Sequence, residues 1–256
     1  MISKAYIQDI VKKGFREDGR KFDEYRSIEI EYGISSKSAE GSARVKIGDT
    51  EVVAGVKMDT GKPYPDKPNE GSIMVNVELV PLASELYEAG PPDINAIELS
   101  RVVDRGIREC HAINFEKLCI EEGEKVWMIF IDIYPINADG NLADACALAA
   151  MAALKDAKFP TLTDGIVDYK TKTNNPLPLQ KDPVECTVWK VADNFLIDPT
   201  IDEEFASDAR LTFAFTNEGK IAAMQKGGQS PLTAEDIDRM AILAAKKTEE
   251  LRSKLK

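Results

Sequence analysis

The chain has 256 residues, 43% of them hydrophobic, and sets 33 Lys and Arg against 44 Asp and Glu, for a net charge of −11. The apolar content is enough for a sizeable core and excludes a disordered polymer. The acidic balance excludes holding nucleic acid by overall charge, so any such contact needs a local basic patch.

One histidine and four scattered cysteines, Cys110, Cys119, Cys146 and Cys186, with no CxxC pair, argue against a Ser-His-Asp centre, a zinc ribbon or a disulfide framework. The mostly apolar runs fall well short of the roughly 20 residues a membrane helix needs. Met1 to Arg20 is polar, with no apolar leader. The expected location is the cytoplasm, with no membrane contact.

In chain order, Ser3 to Lys13 predicts a helix with Ile7, Ile10 and Val11 on one face. After the polar run Arg16-Glu-Asp-Gly-Arg20, alternation predicts antiparallel strands around Ile28 to Tyr32, Val45 to Ile47, Val52 to Val56 and Ile73 to Leu79. Between the last two lies Gly61 to Pro68. Its prolines, Pro63, Pro65 and Pro68, leave an exposed loop carrying Lys62 and Lys67. Asp93 is the expected N-cap of a helix to about Ala112. Lys125 to Ile136 predicts a strand buried on both faces, and Leu142 to Ala157 an Ala-rich helix able to approach a sheet closely. Thr161 to Pro183 is expected to be irregular. Thr187 to Ile197, an acidic loop from Asp198 to Asp208, and a hairpin of Leu211 to Thr216 with Lys220 to Met224 follow. Thr233-Ala-Glu-Asp236 caps a last amphipathic helix. The order predicts a two-layer α+β fold, sheets with helices on a face, in a single domain.

Four segments could carry chemistry. Arg16, Asp18, Arg20, Asp23 and Arg26 form a mixed-charge cluster whose plain interpretation is a set of solvated ion pairs. Asp139-Gly-Asn-Leu-Ala-Asp144 is a turn leading from a strand into a helix N-terminus, an arrangement that can bind phosphate. Asp144, however, would repel a phosphate there, and its plain role is a charge at the helix end. Asp198, Asp202, Glu203, Glu204 and Asp208 could bind Mg²⁺ or transfer protons, or be an acidic surface loop. On the predicted helix after Asp93, Leu99, Val103, Gly106 and Cys110 share one side at 100° per residue, and Arg101, Arg105 and Arg108 face the other. That strip suits RNA phosphates, or pairing with Glu98 and Asp104 at i,i+3 and i,i+4 spacing.

Taken together, Arg16-Glu-Asp-Gly-Arg20 with Asp23 and Arg26, Ile97 to Arg105, Ala138-Asp-Gly140 before the small-residue helix, and the acidic loop before Leu211 resemble, in that order, the RNase PH family of phosphate-dependent 3′ exoribonucleases. The match spans nearly the whole chain and looks most like the catalytically silent RNase PH-like subunit of the archaeal exosome. Active members follow the Asp-Gly turn with Gly-Thr-Arg, whose arginine grips the attacking phosphate. Here Ala143 stands at that place, beside Asp144. Active members also place two aspartates six residues apart before a later strand. Anchored on Leu211, Phe213 and Phe215, those positions hold Glu204 and Arg210, and an arginine cannot bind a metal. A competing register would use Asp202 and Asp208.

The resemblance implies an RNase PH-like domain of two βα halves, about 27–160 and 184–256. It implies a non-catalytic subunit that pairs with an active RNase PH-like sister in a ring of three heterodimers, with RNA-binding caps on one face. No cofactor is expected in this chain, and phosphate, with Mg²⁺ as a further candidate, belongs to the sister. Single-stranded RNA would run along Arg101 and Arg105, with Arg108, Lys62 and Lys67 as weaker contributors. The alternative is that the chain is itself a phosphorolytic nuclease, acting through Asp202 and Asp208 with Mg²⁺. A third reading is an unrelated acidic α/β protein.

Overall fold

Alternating apolar residues build the first sheet. The computed structural model describes residues 2–163 and 165–256. In it β1 (Ile28–Tyr32), β2 (Gly41–Ile47) and β3 (Thr50–Gly61) form an antiparallel meander. β3 pairs antiparallel with β6 (Lys125–Asn137), which also carries the short β5 (Cys119–Glu121). β4 (Ser72–Val77) corrects the expectation of a wholly antiparallel sheet: it joins β6 in parallel, with Val75 opposite Ile131. Alternation reports which face is buried and is silent on direction. The loop of prolines carries the chain past the site where β6 later inserts, and β4 is left at the edge.

β6 also departs from expectation. Ile129, Ile131 and Ile133 are buried, whereas Phe130 and Asp132 are half-buried and Tyr134 is exposed. The buried face is the one on which a helix packs.

That helix is α3 (Leu142–Asp156), which lies between the first sheet and a second, antiparallel one ordered β10 (Asn194–Ile197), β9 (Val184–Val191), β11 (Ala209–Phe215), β12 (Ile221–Gly227). The alanines are what permit this. Ala145, Ala149, Ala150, Ala152 and Ala153 are buried completely, and a Cβ added to Gly41 of β2 would come within 2.4 Å of the Ala153 carbonyl oxygen. One apolar cluster therefore runs from Val45 and Ile131 through Leu148 to Val188 and Phe213.

α2 (Ile94–Arg108) lies against β4 and β12, and α5 (Ala234–Arg252) against β9 and β11. Asp93 caps α2 by accepting the Ala96 N–H at 2.8 Å. The helix ends before the expected Ala112 because His111 takes a left-handed conformation at φ 52°. α1 (Lys4–Lys12) buries Ile7 and Val11 with Trp189 and Ala206 in a smaller cluster.

Two stretches expected to be irregular are not. Thr161 to Pro183 contains most of a hairpin of β7 (Lys158–Thr163) and β8 (Ile166–Pro176); residue 164 lies outside the described residues. The hairpin is half-exposed and polar, so no apolar stripe marks it. The acidic loop contains α4 (Ile201–Ala206), held by a capping box between Thr200 and Glu203. Among the described residues no helix is long and apolar enough to cross a membrane.

Candidate functional site

β6 hands over to α3 through Asp139-Gly140-Asn141. Gly140 and Asn141 both take positive φ, 83° and 56°, and a Cβ on Gly140 would meet the Pro199 carbonyl oxygen at 2.4 Å. Only glycine fits that place. The tight turn presses the N-terminus of α3 against residues 198–204, and a network of charges closes over it.

Asp198 is the hub. Its fully buried carboxylate accepts the Arg26 backbone N–H at 2.8 Å, Arg26 Nε at 2.9 Å and Nη2 at 2.8 Å, Arg20 Nη1 at 3.0 Å and Asn141 Nδ2 at 3.0 Å. Arg26 also reaches Asp139 at 3.0 Å. Arg16 is buried as well, donating through Nε and Nη2 to Glu203 at 2.8 and 2.5 Å. The solvated cluster expected of these arginines is thus a largely buried one. Apart from Asp18 and Asp139, its carboxylate acceptors, Asp198 and Glu203, lie more than 170 residues along the chain, so the local charge pattern gives no hint of them.

Asp144 is not a charge at an exposed helix end either. It is buried, accepting the Tyr25 hydroxyl and the Thr187 N–H, each at 2.8 Å. Burial raises its carboxyl to about 7 against the pull of those donors. Glu185 nearby is raised to about 8, by burial first and by Asp144 second.

Ala143 offers a half-buried methyl beside the α3 N-terminus. The Asn141 N–H there, which could meet a phosphate, donates instead to Glu204 Oε1 at 2.7 Å. Burial raises the Glu204 carboxyl as well. Arg210 pairs with Glu98 of α2 at 2.8 Å, and its guanidinium lies 5.5 Å over the Trp189 ring. Asp202 and Asp208 turn towards the N-terminal segment: Asp202 accepts the Ile2 N–H at 2.9 Å, and Asp208 accepts Gln8 Nε2 at 3.2 Å and the Ala192 N–H at 3.0 Å.

On α2, Arg101 and Arg108 are exposed and Arg105 is half-buried. Arg108 pairs with Asp104, and Arg105 Nη1 donates to Gln225 Oε1 at 3.3 Å. Among the described residues Arg101 has no ion pair, because Glu98 is held by Arg210. Arg101 and Arg105 line an open groove of about 620 Å³ with Ile94, Ile97, Gln225 and one carboxylate, Glu98. Lys62 and Lys67 are exposed and face Glu124 at 3.8 Å and Glu70 at 2.7 Å. A second cavity of about 590 Å³, at the start of α2, has Glu78, Glu88 and Asp93 in its wall, which disfavours an anion. Sequence reasoning misses Tyr25, Gln225, Trp189 and the Arg210–Glu98 pair, since all depend on contacts across the fold.

Residues 24–160 match the 3′ exoribonuclease family, domain 1, and residues 183–247 match domain 2. The exosome complex component Rrp42 of Methanocella arvoryzae is 49% identical over 99% of this chain and 95% of its own length. Its counterpart in Methanothermobacter thermautotrophicus is 46% identical over 98% and 93%. Among solved structures, the Archaeoglobus fulgidus exosome with RNA bound to the active site superposes with a TM-score of 0.92 at 47% identity, covering 99% of this chain and 97% of that one. An archaeal exosome core gives 0.87 at 43%, over 98% and 95%. With both domain matches in order and a mixed α/β fold of the RNase PH type, the chain belongs to the 3′ exoribonuclease family.

Proposed function

We propose that the chain is a non-catalytic subunit of an archaeal exosome-type complex. It pairs with an active RNase PH-like sister in a cytoplasmic ring of three heterodimers, completes the sister's active site, and helps hold single-stranded RNA for phosphorolytic 3′-to-5′ degradation. Phosphate, and Mg²⁺ where it is used, act in the sister, and RNA-binding caps cover one face of the ring. Residues 1–256 act as one domain whose halves, 27–160 and 184–256, share the apolar cluster.

The observation that carries this reading is the state of the α3 N-terminus, where the resemblance puts the phosphate grip. Glu204 takes the Asn141 N–H, Ala143 supplies no cation, and Arg210 is engaged with Glu98. A phosphate arriving there would face a carboxylate in place of a guanidinium. The alternative through Asp202 and Asp208 finds no support, because both carboxylates serve the chain's own N-terminal segment. The RNA surface we assign is the groove with Arg101 and Arg105. Arg108, Lys62 and Lys67 contribute less, since each already faces a carboxylate.

The purified chain, given single-stranded RNA, phosphate and Mg²⁺, is expected to release no nucleoside diphosphates, and the complex with its sister is expected to release them. In that complex, changing Arg101 and Arg105 to Ala should weaken RNA binding with little dependence on base sequence. The slope of log affinity against log salt should fall by about 0.7 per lost phosphate contact. Turnover by the chain alone, or an unchanged slope in the double variant, would overturn the proposal.

A further inference from the structure

We propose that Arg210, standing where the family's second aspartate is expected, is a positioning residue for the RNA strip: by holding Glu98 it keeps that carboxylate off Arg101. The inference rests on the RNA reading of Arg101 and Arg105 given above and adds a residue that reaches the strip through its neighbours.

The geometry is a chain of four side chains from the second sheet to α2. Arg210 lies on β11 between Trp189 of β9 and Gly227 of β12. Its guanidinium lies over the Trp189 ring and crosses Gly227 so closely that a Cβ there would come within 2.1 Å of Nη1. The missing side chain at 227 is what lets Arg210 reach across its own sheet. Arg210 Nη2 meets Glu98 Oε2 at 2.8 Å. The other oxygen, Glu98 Oε1, accepts from Gln225 Nε2 at 3.5 Å, and Gln225 Oε1 accepts from Arg105 Nη1 at 3.3 Å. Both Glu98 oxygens are thereby turned towards the sheet, and Arg105 is steadied through a neutral amide, which leaves its charge uncancelled.

Without Arg210 the nearest cation on Glu98's own helix is Arg101, three residues on, at a spacing where opposite charges pair readily. Such a pair would cancel a charge that RNA needs and would place a carboxylate beside the phosphates. An arginine at 210 therefore does more than remove a metal ligand. It turns Glu98, which still lines the groove, from a partner of Arg101 into a partner of the sheet.

The test uses the complex reconstituted with the active sister, in buffer without phosphate or Mg²⁺, and a fluorescein-labelled single-stranded oligoadenylate titrated at several salt concentrations. Arg210→Ala should weaken binding about two- to fivefold, the range of a partly exposed ion pair, and lower the salt slope by up to about 0.7. Arg210→Gln, which keeps part of the stem across Gly227 without the charge, should do the same. Adding Glu98→Gln to either variant should restore affinity and slope, and Glu98→Gln alone should bind at least as tightly as the unchanged complex. Unchanged binding in both Arg210 variants, or equal weakness with and without Glu98→Gln, would overturn the inference even where Arg101→Ala with Arg105→Ala weakens RNA. If that arginine pair has no effect, the RNA reading fails and this inference fails with it.

Discussion

Replacing Asp198 by Asn is the sharpest test of what holds the N-terminal segment on the site. The carboxylate is fully buried and accepts five hydrogen bonds, three of them from Arg26 and one each from Arg20 and Asn141. Asparagine keeps the shape and tolerates the residue's φ of 49°, so the change isolates charge and acceptor count. Its amide nitrogen would point a donor at guanidinium or amide donors. Two arginines whose side chains are only 11% and 12% exposed would then lose their common anion. Removing one partner of a buried pair costs about 3–5 kcal/mol. Arg26 keeps Asp139 and Arg20 keeps Asp18, so the lower end applies, about 3 kcal/mol. For a chain of this size that is a drop in thermal midpoint on the order of 10 °C. Circular dichroism melts, with urea midpoints at unchanged slope, measure it. A loss below about 1 kcal/mol would mean that the network behaves like an exposed one, and the account of the site would be wrong.

Two further outcomes are expected. Asp144 and Glu185 keep protons in the folded chain, up to about 7 and about 8, that the unfolded chain releases above about 4, so they make stability fall as pH rises from about 4 to about 8. Asp144→Asn with Glu185→Gln should flatten that part of the urea-midpoint profile, and an identical slope would contradict it. Gly41→Ala should cost about 1–3 kcal/mol, because the new methyl would press on the Ala153 carbonyl and the Ala157 backbone. An unchanged melting temperature would mean that α3 does not sit as close to β2 as described.

Much of the frame is legible because its signals are local. Ser3, Asp93 and Thr233 cap the helices they precede, and the Gly48-Asp49 turn sets the β2–β3 hairpin. The Ala-rich run announces a helix between layers. α4 has a local signal too, since Thr200 and Glu203 have capping-box spacing, but the surrounding carboxylates mask it. The β7–β8 hairpin carries too little apolar alternation to be seen, and the parallel setting of β4 depends on a strand that arrives fifty residues later. At the site, the residues at 143, 204 and 210 could be read directly. The partners of the site's charges cannot: Arg16 finds Glu203, Arg26 finds Asp198 and Arg210 finds Glu98 only after the two sheets have closed on α3. A charge looks the same in a sequence whether it will be buried or solvated.

On the proposed reading, the rearranged charges would also let a chain of net charge −11 offer RNA a foothold. At about 0.1 M salt, charges are screened over about 10 Å, so an approaching phosphate responds to the groups around the groove and hardly to the total. On α2 and beside Arg210, three of the acids that could spoil the field are occupied. Glu98 is held by Arg210, Asp104 by Arg108, and Glu204 is turned inwards onto the start of α3, where the helix dipole favours a negative group. Each capture leaves Arg101 and Arg105 more exposed as net positive charge. Two of the positions where the family pattern departs, Glu204 and Arg210, are thus also members of these contacts. On the proposed reading, the absence of catalysis and the RNA surface both follow from one redistribution of charge.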